Sequence, residues 1–128
     1  MITFRKVTSS IVTKLKKCCP GIKVQTSDIE EGIERPCFFI DIKNIALDNL
    51  MGNFSEKEIM YDILYFPKDK KNNAEDILEK MSQLDEGFND DNTIEIDENF
   101  LAEAENVKLF EVDKVLHLTF EIKLSEEY

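Results

Sequence analysis

The stretch that decides the fold is residues 107–124, VKLFEVDKVLHLTFEIKL. Its second half alternates apolar and polar side chains, which is the period of a β-strand with one buried face. A two-residue turn at Asp113 and Lys114 would pair Val112 with Val115. The stretch therefore predicts a long antiparallel hairpin at the end of the chain.

The register of this hairpin can be followed inward from its turn. It places Val107 opposite Phe120 on the apolar face. Continued further, it would place Glu105 and Glu103 on that same face, and a sheet does not bury such residues without a partner. A bulge or break near Asn106 is therefore expected.

A second hairpin is predicted from residues 37–43 and 56–66, joined through the turn signal Met51-Gly52-Asn53. Its second strand is apolar on both faces. One face carries Ile59, Tyr61, Ile63 and Tyr65, and the other carries Met60, Leu64 and Phe66. A strand of this kind needs a cover on each side, and another subunit can supply one of them.

Two segments repeat apolar residues at helical spacing. The first covers residues 3–18 and is ended by Pro20 and Gly21. The second begins after Asn73, a plausible N-cap, and is expected to end at Gly87. Residues 22–26, 93–96 and 99–104 alternate as short strands do.

These elements follow one another in the order α-β-β-β-α-β-β, with one further strand left open. The order predicts an α+β fold: a single mixed, mostly antiparallel sheet with two helices packed on one face. With 128 residues and 42% hydrophobic residues, the chain is expected to form one domain, residues 1–128.

Charge is distributed unevenly along the chain. Residues 1–27 carry six basic and no acidic side chains, whereas the remainder has a net charge of −17, for a total of −11. The total argues against a plain DNA- or membrane-binding protein, since both need positive surface. The polarity between the two parts suggests self-association between unlike patches.

Two basic residues, Arg5 and Lys6, stand at the N-terminal end of the first helix, where the helix dipole disfavours cations. They represent either a small tolerated cost or a basic face kept for an acidic partner. Three cysteines, two of them adjacent, form a poor disulfide framework and predict a reducing compartment. The N-terminal residues do not resemble a secretory signal.

Chemistry-bearing motifs are sparse. The single histidine, His117, lies in a strong strand, and adjacent Cys18 and Cys19 lack the spacing of a zinc or redox pair. The acidic residues 90–98 lack the glycine of an EF-hand loop. No phosphate-binding glycine motif is present. The sequence therefore predicts a protein that is not an enzyme and uses no cofactor or metal.

Four pieces of the chain resemble the tail terminator family of contractile-tailed, Gram-positive-type phages and prophages. They are Cys-Pro-Gly-Ile-Lys-Val at 19–24, Ile-Glu-Arg-Pro-Cys-Phe-Phe-Ile at 33–40, Ile-Leu-Tyr-Phe-Pro at 63–67 and the hairpin at 110–122. The resemblance covers essentially the whole chain. Similar proteins usually have Asp-Gly in the final turn, where this chain has Lys114.

The resemblance implies a structural virion protein that forms a ring, typically of six copies, on the head-proximal end of the tail tube. Such a ring stops tail polymerisation, caps the sheath and offers a surface for joining the head. The implied partners are further copies of the chain, the tail tube protein, the tail sheath protein and head–tail connector proteins. Neither nucleic-acid sequence recognition nor membrane binding is implied.

Candidate interface residues come from two places. The basic end of the first helix contributes a cationic set, and the tip of the first hairpin with its second strand contributes an apolar set. The residues are Lys14, Lys16, Lys17, Leu50, Met51, Phe54 and Met60. The alternative for the tip is a loop that folds back onto its own core.

Two other functions remain open at this point. One is a head–tail neck or completion protein of the same virion, which would share the ring and differ in its neighbours. The other is an acidic soluble binding or inhibitor protein. The basic first helix counts against the latter, because a mimic of nucleic acid gains nothing from a cationic end.

Overall fold

The computed structural model describes residues 2–25, 34–50 and 54–127. Within these ranges the chain forms two α-helices, one π-helical turn and six strands. The elements are α1 (Phe4–Cys18), β1 (Lys23–Gln25), β2 (Cys37–Leu50), β3 (Phe54–Phe66), α2 (Ala74–Leu84), the π-helical turn (Asp85–Asp90), β4 (Thr93–Asp97), β5 (Phe100–Val112) and β6 (Val115–Glu127). The predicted α+β fold is confirmed, and the strand that the sequence left open is present.

The strands form one sheet in the order β1-β2-β3-β6-β5-β4. The short β1 runs parallel to β2, and every other neighbouring pair is antiparallel. The sheet is therefore mixed and mostly antiparallel, as predicted. The two long hairpins, β2–β3 and β5–β6, meet where β3 pairs with β6 in the middle of the sheet.

Both helices pack on one face of the sheet, which we call the covered face. Helix α1 buries Val7, Ile11 and Leu15 against it. The central strands bury alternate residues there: Ile59, Tyr61, Ile63 and Tyr65 from β3, and Leu116, Leu118, Phe120, Ile122 and Leu124 from β6. Because α1 contacts both β1 and β4, the sheet curls around this helix as a half-barrel.

The last hairpin has the predicted two-residue turn, with Val112 paired to Val115. Asp113 and Lys114 have φ angles of 50° and 63°, as a turn of this twist requires. The predicted break is confirmed, since the register shifts between Glu105 and Lys108.

The bulge corrects one predicted pair. Val107 lies within the irregularity and is not paired with Phe120. The bulge turns Glu105 to the uncovered side of the sheet, opposite Glu121, and lets Ala104 reach the covered face opposite Ile122. The cost of burying a glutamate therefore decides the register here.

The helix boundaries are mostly as predicted. Helix α1 begins after Thr3, whose Oγ1 accepts a hydrogen bond from the Lys6 amide at 3.1 Å. Asn73 precedes α2, but its side chain does not cap the helix. Instead its Nδ2 donates to the carbonyl oxygens of Asp69 and Lys114, at 3.0 and 3.2 Å. These bonds tie the start of α2 to the last hairpin turn.

The prediction that Gly87 ends the second helix is wrong. The chain continues through the π-helical turn, which places Phe88 in the core with no exposed surface. A Cβ atom on Gly87 would lie 2.8 Å from the Cβ of Cys18. Glycine is thus needed for the close approach of the turn to α1, rather than for helix termination.

Candidate assembly surfaces

The three lysines predicted as interface residues on α1 fall into two groups. Lys16 and Lys17 are exposed, and neither forms an ion pair with a described residue. Lys14 is turned inward, with its side chain 14% exposed. Its Nζ donates to the carbonyl oxygens of Asp91, at 2.6 Å, and of Thr93.

Further contacts hold Lys14 inside the subunit. Its Nζ lies 3.7 Å from the Asp91 carboxylate and 5.6 Å from the centre of the Phe88 ring. The Nζ atom of Lys6, on the same helix, lies 3.6 Å from the Asp97 carboxylate. Part of the positive charge of α1 is therefore used to attach the helix to β4, and Arg5, Lys16 and Lys17 remain directed outward.

Acidic side chains gather in the β4–β5 region, where Glu95 and Glu98 line the same groove as Lys17 of α1. Glu95, Glu98 and Glu103, on and between β4 and β5, are all exposed. None of the three forms a salt bridge with a described residue. The surface thus presents unpaired cations on α1 and unpaired anions on the β4–β5 region, which is the polarity inferred from the sequence.

The face of the sheet opposite the helices is partly apolar, and we call it the open face. Neighbouring residues on four strands form a row across it: Phe39, Leu64, His117 and Phe110. Phe110 is 40% exposed. Met60, predicted as an interface residue, lies on the same face and is 38% exposed. The second apolar side of β3 therefore has no helix over it among the described residues.

A polar pair is set into this row. His117 Nδ1 lies 3.1 Å from each carboxylate oxygen of Asp62, which is 5% exposed. The His117 ring stacks on Phe110, with ring centres 5.1 Å apart. No local sequence pattern predicts this pair, because 55 residues separate its members and only the β3–β6 register joins them.

The structure does not bring His117 and the half-buried Cys18 together. Cys18 is on α1, on the covered face, whereas His117 points to the open face. The sheet separates the two, so they cannot act as a nucleophile and its base.

The adjacent cysteine thiols contact each other, with Sγ atoms 3.7 Å apart. The hydrogen bond from Cys19 lowers the pKa of Cys18. The same bond and burial raise the pKa of Cys19. In the part of the chain that the structure describes, no three His, Cys, Asp or Glu side chains cluster as a metal site would require. No described helix is long and apolar enough to cross a membrane.

Two lengths of strand have no partner on their outer side among the described residues. Strand β1 pairs with Cys37, Phe38 and Phe39 of β2, and beyond these three residues no described strand lies on the outer side of β2. Strand β4 pairs with β5 only between Phe100 and Glu103. The sequence did not predict these open edges, because strand order is set by contacts between distant segments.

The tip of the first hairpin is only partly described. Met51 lies outside the described residues. For Leu50 and Phe54 the structure gives the backbone pairing of one with the other, and their side chains lie outside the description. The predicted contact at this tip therefore stays a prediction.

The described surface thus offers strand edges, a partly apolar face and opposed charges, which are features suited to contact with other proteins. A sequence model of the phage tail terminator protein family matches residues 6–127. The chain belongs to the phage tail terminator family, as the sequence resemblance predicted, and is a structural protein of a phage tail. No curated protein matches the chain at a significant level.

Proposed function

We propose that this protein forms a ring, of six copies, that caps the head-proximal end of the tail tube and sheath. The ring stops tail polymerisation and offers the surface to which the head joins. The observation that carries the proposal is the family match over residues 6–127, which covers nearly the whole chain.

The distribution of charge supports a ring. A ring uses heterologous contacts, in which one patch meets a different patch on the next copy. Lys16 and Lys17 of α1 offer a cationic patch, and Glu95, Glu98 and Glu103 offer an anionic one. Charge of this kind sets orientation and association rate, whereas apolar contact sets most of the affinity.

The remaining surfaces are assigned to the neighbours in the tail. The open face, with Met60, and the hairpin tip, with Leu50, Met51 and Phe54, are proposed to contact the tube or a neighbouring copy. The sheath and the head–tail connector proteins complete the set of partners. Lys14 is left out of the interface, because its contacts lie within the subunit.

The test is electron microscopy of tails from a lysogen in which this gene is deleted. Overlong, ragged tubes or sheaths without heads are the expected result, because polymerisation would no longer be stopped. A plasmid copy of the gene should restore the length. Tails of normal length that lack heads would contradict tail termination and favour a neck protein. Intact infectious particles would contradict both functions.

A further inference from the structure

The second strand from each end of the sheet, β2 or β5, is paired with its outer neighbour over only part of its length. Beyond β1, residues 40–48 of β2 have no described strand beside them, and we call them the open β2 edge. Beyond β4, residues 108–112 of β5 are in the same position, and we call them the open β5 edge. On the outer side of each edge, the backbone amide and carbonyl groups have no strand partner among the described residues.

The side chains on both edges are exposed and partly apolar. Leu47, on the open β2 edge, is 69% exposed, and Val112, on the open β5 edge, is 48% exposed. Natural sheets protect such edges with prolines, charges, bulges or short strands. The open β2 edge has one bulge, next to Lys43, and otherwise continues as regular strand for several residues. An edge of this length and composition is suited to pairing with another chain.

The strand directions permit this partner to be a second copy. The steps from β2 to β3, from β3 to β6 and from β6 to β5 are all antiparallel. Three reversals make β2 and β5 of one copy antiparallel to each other. Copies in a ring share one orientation, so the β2 of one copy and the β5 of the next also meet antiparallel.

One register makes the two edges complementary. If Leu47 lies opposite Leu109, both side chains are on the covered-face side of the sheet. The same register sets Ala46 opposite Phe110 on the open-face side, a small residue beside a large one. It also sets Asp48 opposite Lys108 on that side, an acid opposite a base.

The open β2 edge and the open β5 edge are offset from each other along the strand direction. Phe110 lies in the same cross-strand row as Phe39, where β1 still covers β2. The open β2 edge begins only beyond this row. Pairing the two edges therefore shifts each copy along the strand direction relative to its neighbour. A stagger of this kind is what a sheet needs in order to close on itself.

The geometry points to a head-to-tail contact in which the open β2 edge of one copy pairs with the open β5 edge of the next and continues the sheet from subunit to subunit. This inference rests on the proposed ring and names its subunit interface. It joins apolar contact, backbone hydrogen bonds and one charge pair in a single heterologous interface.

The first test is a disulfide across the interface, in the double variant Ala46→Cys, Phe110→Cys. In the proposed register the two Cα atoms of different copies lie about 4.5–5.5 Å apart, within the range that a disulfide spans. Oxidised tails, purified from the deletion lysogen expressing this variant, should give a ladder of covalent oligomers on a non-reducing gel. A mixture of the two single variants should stop at dimers.

Two matched controls accompany the ladder. The double variant Ala46→Cys, Leu101→Cys places the second cysteine on the part of β5 that β4 covers, where Leu101 is 65% exposed, and should give no ladder. The unsubstituted protein, with Cys18, Cys19 and Cys37, should also give none. Absence of the ladder in the test variant, or dimers from Ala46→Cys alone, would overturn the head-to-tail pairing.

The second test does not depend on disulfide chemistry. Leu47→Lys adds a charge to the open β2 edge and should weaken each contact roughly tenfold, the equivalent of about 1.4 kcal/mol, so that the yield of correctly terminated tails falls at least tenfold. Leu78→Lys, at a leucine of α2 that is 63% exposed, should have no effect. Equal results for both variants would overturn the inference.

The outcome can be separated from that of the proposed function. Overlong tails on deletion, together with no ladder and no effect of Leu47→Lys, would leave the terminator role standing and contradict the strand pairing alone. A ladder in the purified protein, together with normal tails on deletion, would contradict the terminator role and leave the pairing standing.

Discussion

The two edges of the sheet differ in how they end. At the β4 edge, the Lys14 side chain of α1 donates to the carbonyl oxygens of Asp91 and Thr93, so the helix itself closes the strand. At the β2 edge, Leu47 is 69% exposed and the described residues contain no such closure. The helix closes β4 itself, so among the described residues a neighbouring copy can pair only with the lengths of β2 and β5 that their outer strands leave uncovered.

The largest effect is expected at the closed edge. Phe88 has no exposed surface and stacks on Phe120, with ring centres 5.4 Å apart. Phe88→Ala should lower the free energy of unfolding by about 3–5 kcal/mol, because it leaves a cavity beneath Lys14. Urea unfolding followed by circular dichroism measures the change.

The matched control for this variant is Phe110→Ala, on the open β5 edge. Phe110 is already 40% exposed, so its loss should cost only about 1 kcal/mol. Equal destabilisation by the two variants would mean that the open face is packed against something within the subunit, and the contrast between the edges would fail.

The second prediction concerns the hydrogen bonds by which Lys14 closes the outer side of β4. Lys14→Met keeps the length of the side chain but leaves the carbonyl oxygens of Asp91 and Thr93 without their donor. Loss of a charged donor from a half-buried site should cost about 1–3 kcal/mol. Lys17→Met, at an exposed site on the same helix, should change stability by less than about 0.5 kcal/mol.

Amide hydrogen exchange shows which part of the protein Lys14→Met destabilises. In Lys14→Met, amides of β4 should exchange faster while those of β3 keep their protection, because local opening at an edge does not require global unfolding. Uniform acceleration, or no acceleration at β4, would show that Lys14 does not close this edge.

These lysines also show where prediction from the sequence succeeds and where it stops. The helical stripe, the two hairpins and the bulge near Asn106 follow from local periodicity and from the cost of burying glutamate. The separate roles of Lys14 and Lys17 do not, since both carry the same charge three residues apart. Only the position of β4, which pairs with a distant strand, distinguishes them.

The same reason explains what the sequence missed on the open face. The apolar second side of β3 was predicted from its residues, and Met60 lies there. The partner of His117 was not predicted, because Asp62 becomes its neighbour through the β3–β6 pairing. The sequence also predicts a helix end at Gly87. This prediction is wrong because the role of Gly87 is its close approach to α1, which is remote in sequence.

A third and smaller effect concerns charge between copies. The double variant Lys16→Glu, Lys17→Glu should weaken assembly roughly fivefold at low salt and less at high salt, because exposed charges are screened. Sedimentation or the fraction of terminated tails measures assembly. The free energy of unfolding should fall by about 1 kcal/mol at low salt, because the last turn of α1 favours cations. Lys68→Glu with Lys70→Glu is the control for net charge. An equal loss at both salt concentrations would contradict charge complementarity.

The smallest expected effect lies at the turn that ends the open β5 edge. Lys114 has a φ of 63°, a conformation that costs a residue with a Cβ about 1–2 kcal/mol and costs glycine nothing. Two losses oppose this gain in Lys114→Gly. Glycine gives the unfolded chain more entropy, and the hydrogen bond from Lys114 Nζ to the Lys71 carbonyl, at 2.7 Å on the surface, disappears.

The balance should leave Lys114→Gly more stable by about 0.5 kcal/mol, measured by urea unfolding. Asp113→Gly is the control, since aspartate tolerates its φ of 50° better than lysine and the change should be close to neutral. Assembly should stay as it is, because the turn follows the open β5 edge and is not part of it. A variant that gains stability but loses assembly would extend the contact into the turn and move the proposed register toward it.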